Sequence, residues 1–156
     1  MIVNTELEQK GNLFPSKIIN YKKDIDTLHF STKNGVVLQV TVVRDSVIRF
    51  RYSTTGKFEN DFSYGVTIHA SRGYSFLDIT EDEIHYSITT SKLICKVEKQ
   101  SLQVRLFDAI DNKLINEDEI GFHWEECYQH GGDIVQMSKT CQKSESFYGL
   151  GDKPVD

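Results

Sequence analysis

The stretch NGVVLQVTVVRDSVIRFRY, residues 34–52, decides the fold. Asn34-Gly35 is a two-residue hairpin signal, because both residues tolerate the left-handed backbone that such turns demand. After it Val36, Leu38, Val40 and Val42 recur at every second position, with Gln39 and Thr41 between them. Side chains of a strand point alternately to its two faces, so this spacing lays an apolar stripe on a core and polar groups on the other side. Arg44-Asp45 marks a tight connection, after which Ile48, Phe50 and Tyr52 resume the alternation against Arg49 and Arg51. The stretch reads as an antiparallel hairpin with one buried face.

The same period extends outward from it. Ile84, Tyr86 and Ile88 alternate with His85 and Ser87, Leu93, Cys95 and Val97 share a face, and Leu102, Val104 and Leu106 alternate with Gln103 and Arg105. Lys99-Gln100 and Asp111-Asn112 supply turns, and Gly56, Gly65 and Gly73 punctuate the middle. Pro15 and Pro154 stand near the two ends, so the strands between them can donate full hydrogen-bond ladders. The acidic run Glu117-Asp118-Glu119 reads as a solvated turn, with a short helical turn as the alternative. About nine short strands with dense turn signals predict an all-β fold, an antiparallel β-sandwich, with a closed barrel as second choice. Residues 1–16 read as a loosely ordered lead-in whose Phe14-Pro15 docks on the sandwich, residues 17–146 as the sandwich, and residues 147–156 as a loop leading out of it.

At 156 residues the chain has the length of one domain, and a globule of this size buries roughly 70% of its unfolded surface, so it needs neither disulfide nor metal to fold. A net charge of −5 speaks against a nucleic-acid partner. Cys95, Cys127 and Cys141 are odd in number and form no C-x-x-C, which fits free thiols in a reducing compartment. The first twenty residues hold no apolar leader and no apolar run reaches membrane-spanning length, so a cytoplasmic protein without a membrane partner is expected.

Chemistry-bearing patterns are few. Gly149-Leu150-Gly151 lacks the third glycine and the following helix of a phosphate loop. His123, Cys127 and His130 form an H-x3-C-x2-H spacing that matches no common zinc pattern and lacks a fourth ligand, so a polar loop is the reading and no metal or other cofactor is expected. Trp124-Glu125-Glu126 raises acid–base work, but glycoside hydrolysis needs two carboxyl groups ~5 Å apart in retaining enzymes, and the spacing of the acids places no such pair. No G-x-S-x-G is present. Phe58, Phe62, Tyr64, Tyr74 and Phe76 are read as packing between sheets, with stacking on sugar faces as the functional alternative.

The segment Phe147-Tyr148-Gly149-Leu150-Gly151-Asp152-Lys153-Pro154 resembles the F-Y-G-L-G-[ED] segment of glycoside hydrolase family 31, the α-glucosidase family. The run from Asp45 to Tyr52 resembles that family's Arg-bearing early strand, and Phe107 to Ile115 its D-x-x-G-x-x-[LI] hairpin, with Asn112 in place of the glycine. The resemblance spans roughly residues 27–156 and implies a galactose-mutarotase-like N-terminal sandwich of a retaining, exo-acting α-glucosidase that uses two aspartates and no cofactor. The family nucleophile lies in a W-x-D-M segment on a (β/α)8 barrel; this chain has no such segment, and a barrel alone takes ~250 residues. No catalytic residue is therefore assigned, and the chain is expected to be an excised N-terminal domain whose partners are the catalytic barrel of the same polypeptide and its α-glucoside or oligosaccharide substrate. Tyr148, Gly149, Gly151, Asp152 and Lys153 are the residues expected to touch the barrel or the substrate cleft, the glycines by close backbone approach and the charged pair by hydrogen bonding. Two other readings compete: a free-standing carbohydrate-binding module, and an aldose-epimerase-like enzyme suggested by the sandwich type alone.

Overall fold

Among the described residues ten strands follow one another: β1 (Ile18–Lys23), β2 (Thr27–Thr32), β3 (Val37–Arg44), β4 (Val47–Ser53), β5 (Asp78–Glu81), β6 (His85–Thr89), β7 (Leu93–Glu98), β8 (Val104–Asp108), β9 (Leu114–Glu125) and β10 (Ile134–Lys139). The structure is a computed structural model that describes residues 11–60, 78–126, 132–141, 143, 145 and 146, and among these no helix occurs. One sheet has the order β1-β2-β3-β4 and the other β10-β9-β8-β7-β6-β5, every neighbouring pair antiparallel. The fold is the β-sandwich that the alternation predicts.

The inward stripe of residues 36–42 makes the first sheet's core face. Leu38 lies between Phe30 of β2 and Tyr52 of β4, and Val40 between Leu28 and Phe50, so each row across the sheet is apolar. In the second sheet the rows are Ile88–Cys95–Leu106 and Tyr86–Val97–Val104. Leu28, Phe30, Val36, Leu38, Val40, Val42, Ile88, Cys95 and Val97 are fully buried, and each large side chain among them contributes about 1.5–3 kcal/mol of burial. Among the described residues three aromatic contacts join the layers, Phe30 and Tyr21 each to Tyr86 at 5.2 and 5.1 Å between ring centroids and Tyr52 to Phe122 at 4.5 Å. A polar tie completes the seam: Thr90 Oγ1 donates to the Asp45 carbonyl at 2.6 Å and Ser91 Oγ to the Asp45 carboxylate at 3.0 Å.

Several turns differ in detail from the sequence reading. Asn34-Gly35 sits in a three-residue connection, closed by the Thr32 N–H on the Val36 carbonyl, with Gly35 at φ +86°. That is the longer hairpin loop in which the last residue takes the left-handed conformation. Asn34 is free to serve elsewhere: its Oδ1 accepts from Ser16 N–H and from the hydroxyls of Ser16 and Thr32, and its Nδ2 donates to the Phe14 carbonyl. Asn112 takes φ +55°, the left-handed position that asparagine tolerates. Ile84 does not share the inward face of Tyr86 and Ile88. It is exposed in the turn before β6, its N–H held by Asp82 Oδ1 at 2.7 Å.

The acidic run Glu117-Asp118-Glu119 is neither a solvated turn nor a helical one, for it lies inside β9. β9 pairs with β8 through residues 114–117 and with β10 from Asp118 onward, and it bends at Gly121, φ +80°, where the β10 register shifts. Asp118 is buried at the bend and accepts the Val104 N–H at 2.8 Å. Its Oδ1 has no hydrogen bond of ordinary geometry and is met instead by the Lys139 ammonium at 2.5 Å. On the side of β9 that β8 leaves vacant, Leu13 makes a two-bond bridge with Trp124. Pro15 is buried and the Phe14 ring stacks on His123 at 5.4 Å, the docking expected of Phe14-Pro15.

Candidate functional site

The residues picked from sequence as the site, Tyr148, Gly149, Gly151, Asp152 and Lys153, lie outside the described residues, as do Cys127, His130, Phe62, Tyr64, Tyr74 and Phe76. His123, the first member of the H-x3-C-x2-H spacing, is buried beneath Phe14 with Nδ1 donating to the Gly121 carbonyl at 3.1 Å. Its place is explained by packing. Phe58 lies 5.1 Å beneath the Arg51 guanidinium, and Arg51 Nη2 also donates to the Glu59 carbonyl at 3.1 Å.

Phe58 and Arg51 belong to a cleft of about 380 Å³ where the β4 edge of one sheet faces β9 and β10 of the other. It is built from the strands outward. Tyr52 is the last inward ring of β4 and lies nearly parallel to Phe122 of β9, 8° between planes. Burial pushes the Tyr52 phenol's ionisation up, with the negative charge of Asp118 adding to the effect. Beyond this pair the chain turns through Gly56, φ +73°, where a Cβ would sit 3.3 Å from the Gly35 carbonyl oxygen. Ser53 Oγ donates to the Lys57 carbonyl at 2.6 Å and fixes that turn. Thr54 Oγ1 donates to Asp133 Oδ2 at 3.1 Å across the gap between sheets, and Val135 closes the side.

The cleft thus has an apolar, aromatic floor and a rim with a guanidinium and two carboxylates, Glu59 and Asp133. Such a surface can hold a small polar ring by its apolar face and its hydroxyls. It has no poised nucleophile among the described lining residues, since the Ser53 hydroxyl is committed to a carbonyl. Sequence reasoning singled out Phe58 and the Arg51 strand but not Asp133 or Val135. Thr54 and Asp133 are 79 residues apart, and no local pattern announces a tie of that span.

Residues 37–155 match the family profile of the glycosyl hydrolase 31 N-terminal galactose mutarotase-like domain. No curated protein sequence matches the chain significantly. Among solved structures, the fold is similar to part of a family 31 dextranase from Flavobacterium johnsoniae, solved with isomaltotriose. The identity is 21% and the TM-score 0.69, over 90% of this chain and 17% of the dextranase. It is also similar to part of a cycloalternan-forming enzyme from Listeria monocytogenes, solved with a pentasaccharide substrate, at 15% identity and TM-score 0.57, over 74% of this chain and 11% of that enzyme. The chain therefore spans less than a fifth of the length of these enzymes.

Proposed function

This chain belongs to the N-terminal galactose mutarotase-like domains of glycosyl hydrolase family 31, and from that premise we propose that it is the non-catalytic sandwich of a retaining, exo-acting α-glucosidase. In this reading it packs on a (β/α)8 catalytic barrel of the same polypeptide and narrows the cleft that receives an α-glucoside or oligosaccharide. The observation that carries the reading is the family match across residues 37–155, which takes in the Tyr148–Lys153 segment. Gly149 and Gly151 let the backbone approach its neighbour closely, and Asp152 and Lys153 offer an acceptor and donors to sugar hydroxyls.

The test is steady-state kinetics of the full-length enzyme carrying Asp152→Ala or Tyr148→Ala. Loss of one hydrogen bond to substrate raises KM about 3- to 10-fold, with kcat held within about 2-fold. An unchanged KM in both variants removes the cleft-shaping role. The 156-residue chain alone is expected to hydrolyse no α-glucoside, and turnover by the pure chain overturns the non-catalytic assignment.

The cleft between β4 and β10 favours a second reading, in which the sandwich itself binds sugar. Trp124 lies 5.8 Å from the Phe122 ring that floors the cleft and so reports on it. A saturable change in its fluorescence with isomaltose or maltose at millimolar concentration supports this reading, and a flat titration ends it.

A further inference from the structure

Asn34-Gly35 does more than turn the chain between β2 and β3. Asn34 is the one asparagine in the sequence followed by glycine, and both residues are exposed. Glycine leaves its own backbone nitrogen unshielded, and a Cβ at Gly35 would meet nothing within 4 Å. In such a pair the Gly35 nitrogen, having lost its proton to base, attacks the Asn34 carboxamide carbon. The new C–N bond closes a succinimide ring as the Cγ–Nδ2 bond breaks and ammonia leaves. Water then opens the ring at either carbonyl, giving aspartate or isoaspartate. The net change consumes an amide and a water and yields a carboxylic acid and ammonia.

In the folded chain every group that takes part is tied down. Asn34 Nδ2, on the bond that must break, donates to the Phe14 carbonyl at 2.9 Å. Oδ1 accepts from the Ser16 N–H at 3.1 Å and from the hydroxyls of Ser16 at 3.0 Å and Thr32 at 2.8 Å. The Asn34 N–H donates to Ser16 Oγ at 2.9 Å, and the Gly35 N–H, whose proton must go, donates to the Thr32 carbonyl at 3.1 Å. Attack makes Cγ tetrahedral and carries Oδ1 and Nδ2 out of the plane in which these bonds are made. The bonds to Phe14 and Ser16 come from a segment 18 to 20 residues away in the chain. That segment is seated on the second sheet by the Leu13–Trp124 bridge and the Phe14–His123 stack. We infer that Asn34 is a deamidation site, shielded while residues 14–16 are docked and opened when they lift, and that its conversion releases them irreversibly. The release follows from the products. Aspartate has no N–H for the Phe14 carbonyl and sets a charged acceptor against it. Isoaspartate also routes the main chain through the former side chain, which takes the remaining carboxylate away from Ser16 and Thr32.

Peptide mapping by mass spectrometry follows aspartate and isoaspartate at position 34 in warm, mildly alkaline buffer. The free peptide of residues 30–38 gives the unshielded rate. The folded chain is expected to convert at least about 10-fold more slowly, because several hydrogen bonds must open together first. Ser16→Ala removes one donor to Oδ1 and the acceptor of the Asn34 N–H. It is expected to convert at least about 3-fold faster than wild type, with Trp124 fluorescence unchanged. A second measurement does not depend on that variant. Wild-type chain converted at Asn34, and Asn34→Asp made directly, are both expected to be cleaved at Lys17 several-fold faster than unconverted chain. A folded chain that converts as fast as the peptide overturns the shielding, and so does a Ser16→Ala rate equal to that of wild type. Cleavage at Lys17 that is no faster after conversion overturns the release. None of these outcomes touches the family role.

Discussion

Asp118 carries a charge where water does not reach, and its two partners divide the work unequally. The Asp118 side chain is 0% exposed and that of Lys139 is 36% exposed. Removing the ammonium strands a buried carboxylate with the Val104 N–H alone, whereas removing the carboxylate charge lets Lys139 return to solvent. Lys139→Met is therefore expected to cost about 2–4 kcal/mol and Asp118→Asn about 1–2 kcal/mol, measured by urea unfolding. The reverse order contradicts the assignment of a buried pair. Cys95 gives the pH dependence. Burial pushes its thiol from 9.0 up to about 12, and the Tyr52 phenol moves in the same direction from 10.0. The unfolded state thus ionises first, so this part of the stability is complete below pH 9 and is lost as the pH climbs toward 12. The urea midpoint is expected to fall steadily above about pH 9, with the early part of the fall missing in Cys95→Ala. A level midpoint to pH 11 refutes it. The buried thiol was legible in the Leu93-Cys95-Val97 alternation. The buried carboxylate was not, because three consecutive acids carry no sign of a partner that arrives from another strand.

At the scale of elements, alternation placed the strands, while turns and bends followed from contacts that no window contains. The stripe 36–42 and the runs ending at Tyr52, Val97 and Leu106 all face the core as their period demands. Leu102 lies on that core but at φ +60°, outside β8, because the Glu98–Gln103 turn must fold back to bury it. Gly121 is the clearest case of an element fixed by one residue. A Cβ there meets the Gln103 Cγ at 3.0 Å and the backbone is left-handed. Gly121→Ala is expected to cost about 1–2 kcal/mol in thermal or urea unfolding, and Gly132→Ala, with open space around it, much less. Equal losses argue against strain at the β9 bend. The Asn34 network ties residues 14–16 to the β2–β3 turn. Asn34→Ala is expected to speed proteolytic cleavage at Lys17 several-fold while Trp124 remains buried, and an unchanged cleavage rate shows that the Leu13–Trp124 bridge and the Phe14–His123 stack hold that segment without the Asn34 network.

The whole molecule raises the question of whether two sheets packed on one shared core behave as one. Fold class and family were legible because both rest on strand-period patterns and on a short glycine motif. The cleft was not, because it is made where β4, β9 and β10 meet across the sandwich. Cooperativity across that seam has a direct probe, since the single tryptophan, Trp124, lies in the second sheet. Phe30 lies in the first, buried between Tyr21 and Tyr86 at 5.9 and 5.2 Å. Truncating it leaves a cavity at the junction of the layers, and Phe30→Ala is expected to cost about 3–5 kcal/mol. If the sandwich is one cooperative unit, Trp124 fluorescence and far-ultraviolet circular dichroism shift together, to one lower urea midpoint. The two probes separate if the sheets unfold independently: dichroism then shows the loss of the first sheet while the tryptophan midpoint stays with the wild type. The aromatic links across the seam and the Thr90–Asp45 tie at the β3–β4 turn argue for the single transition.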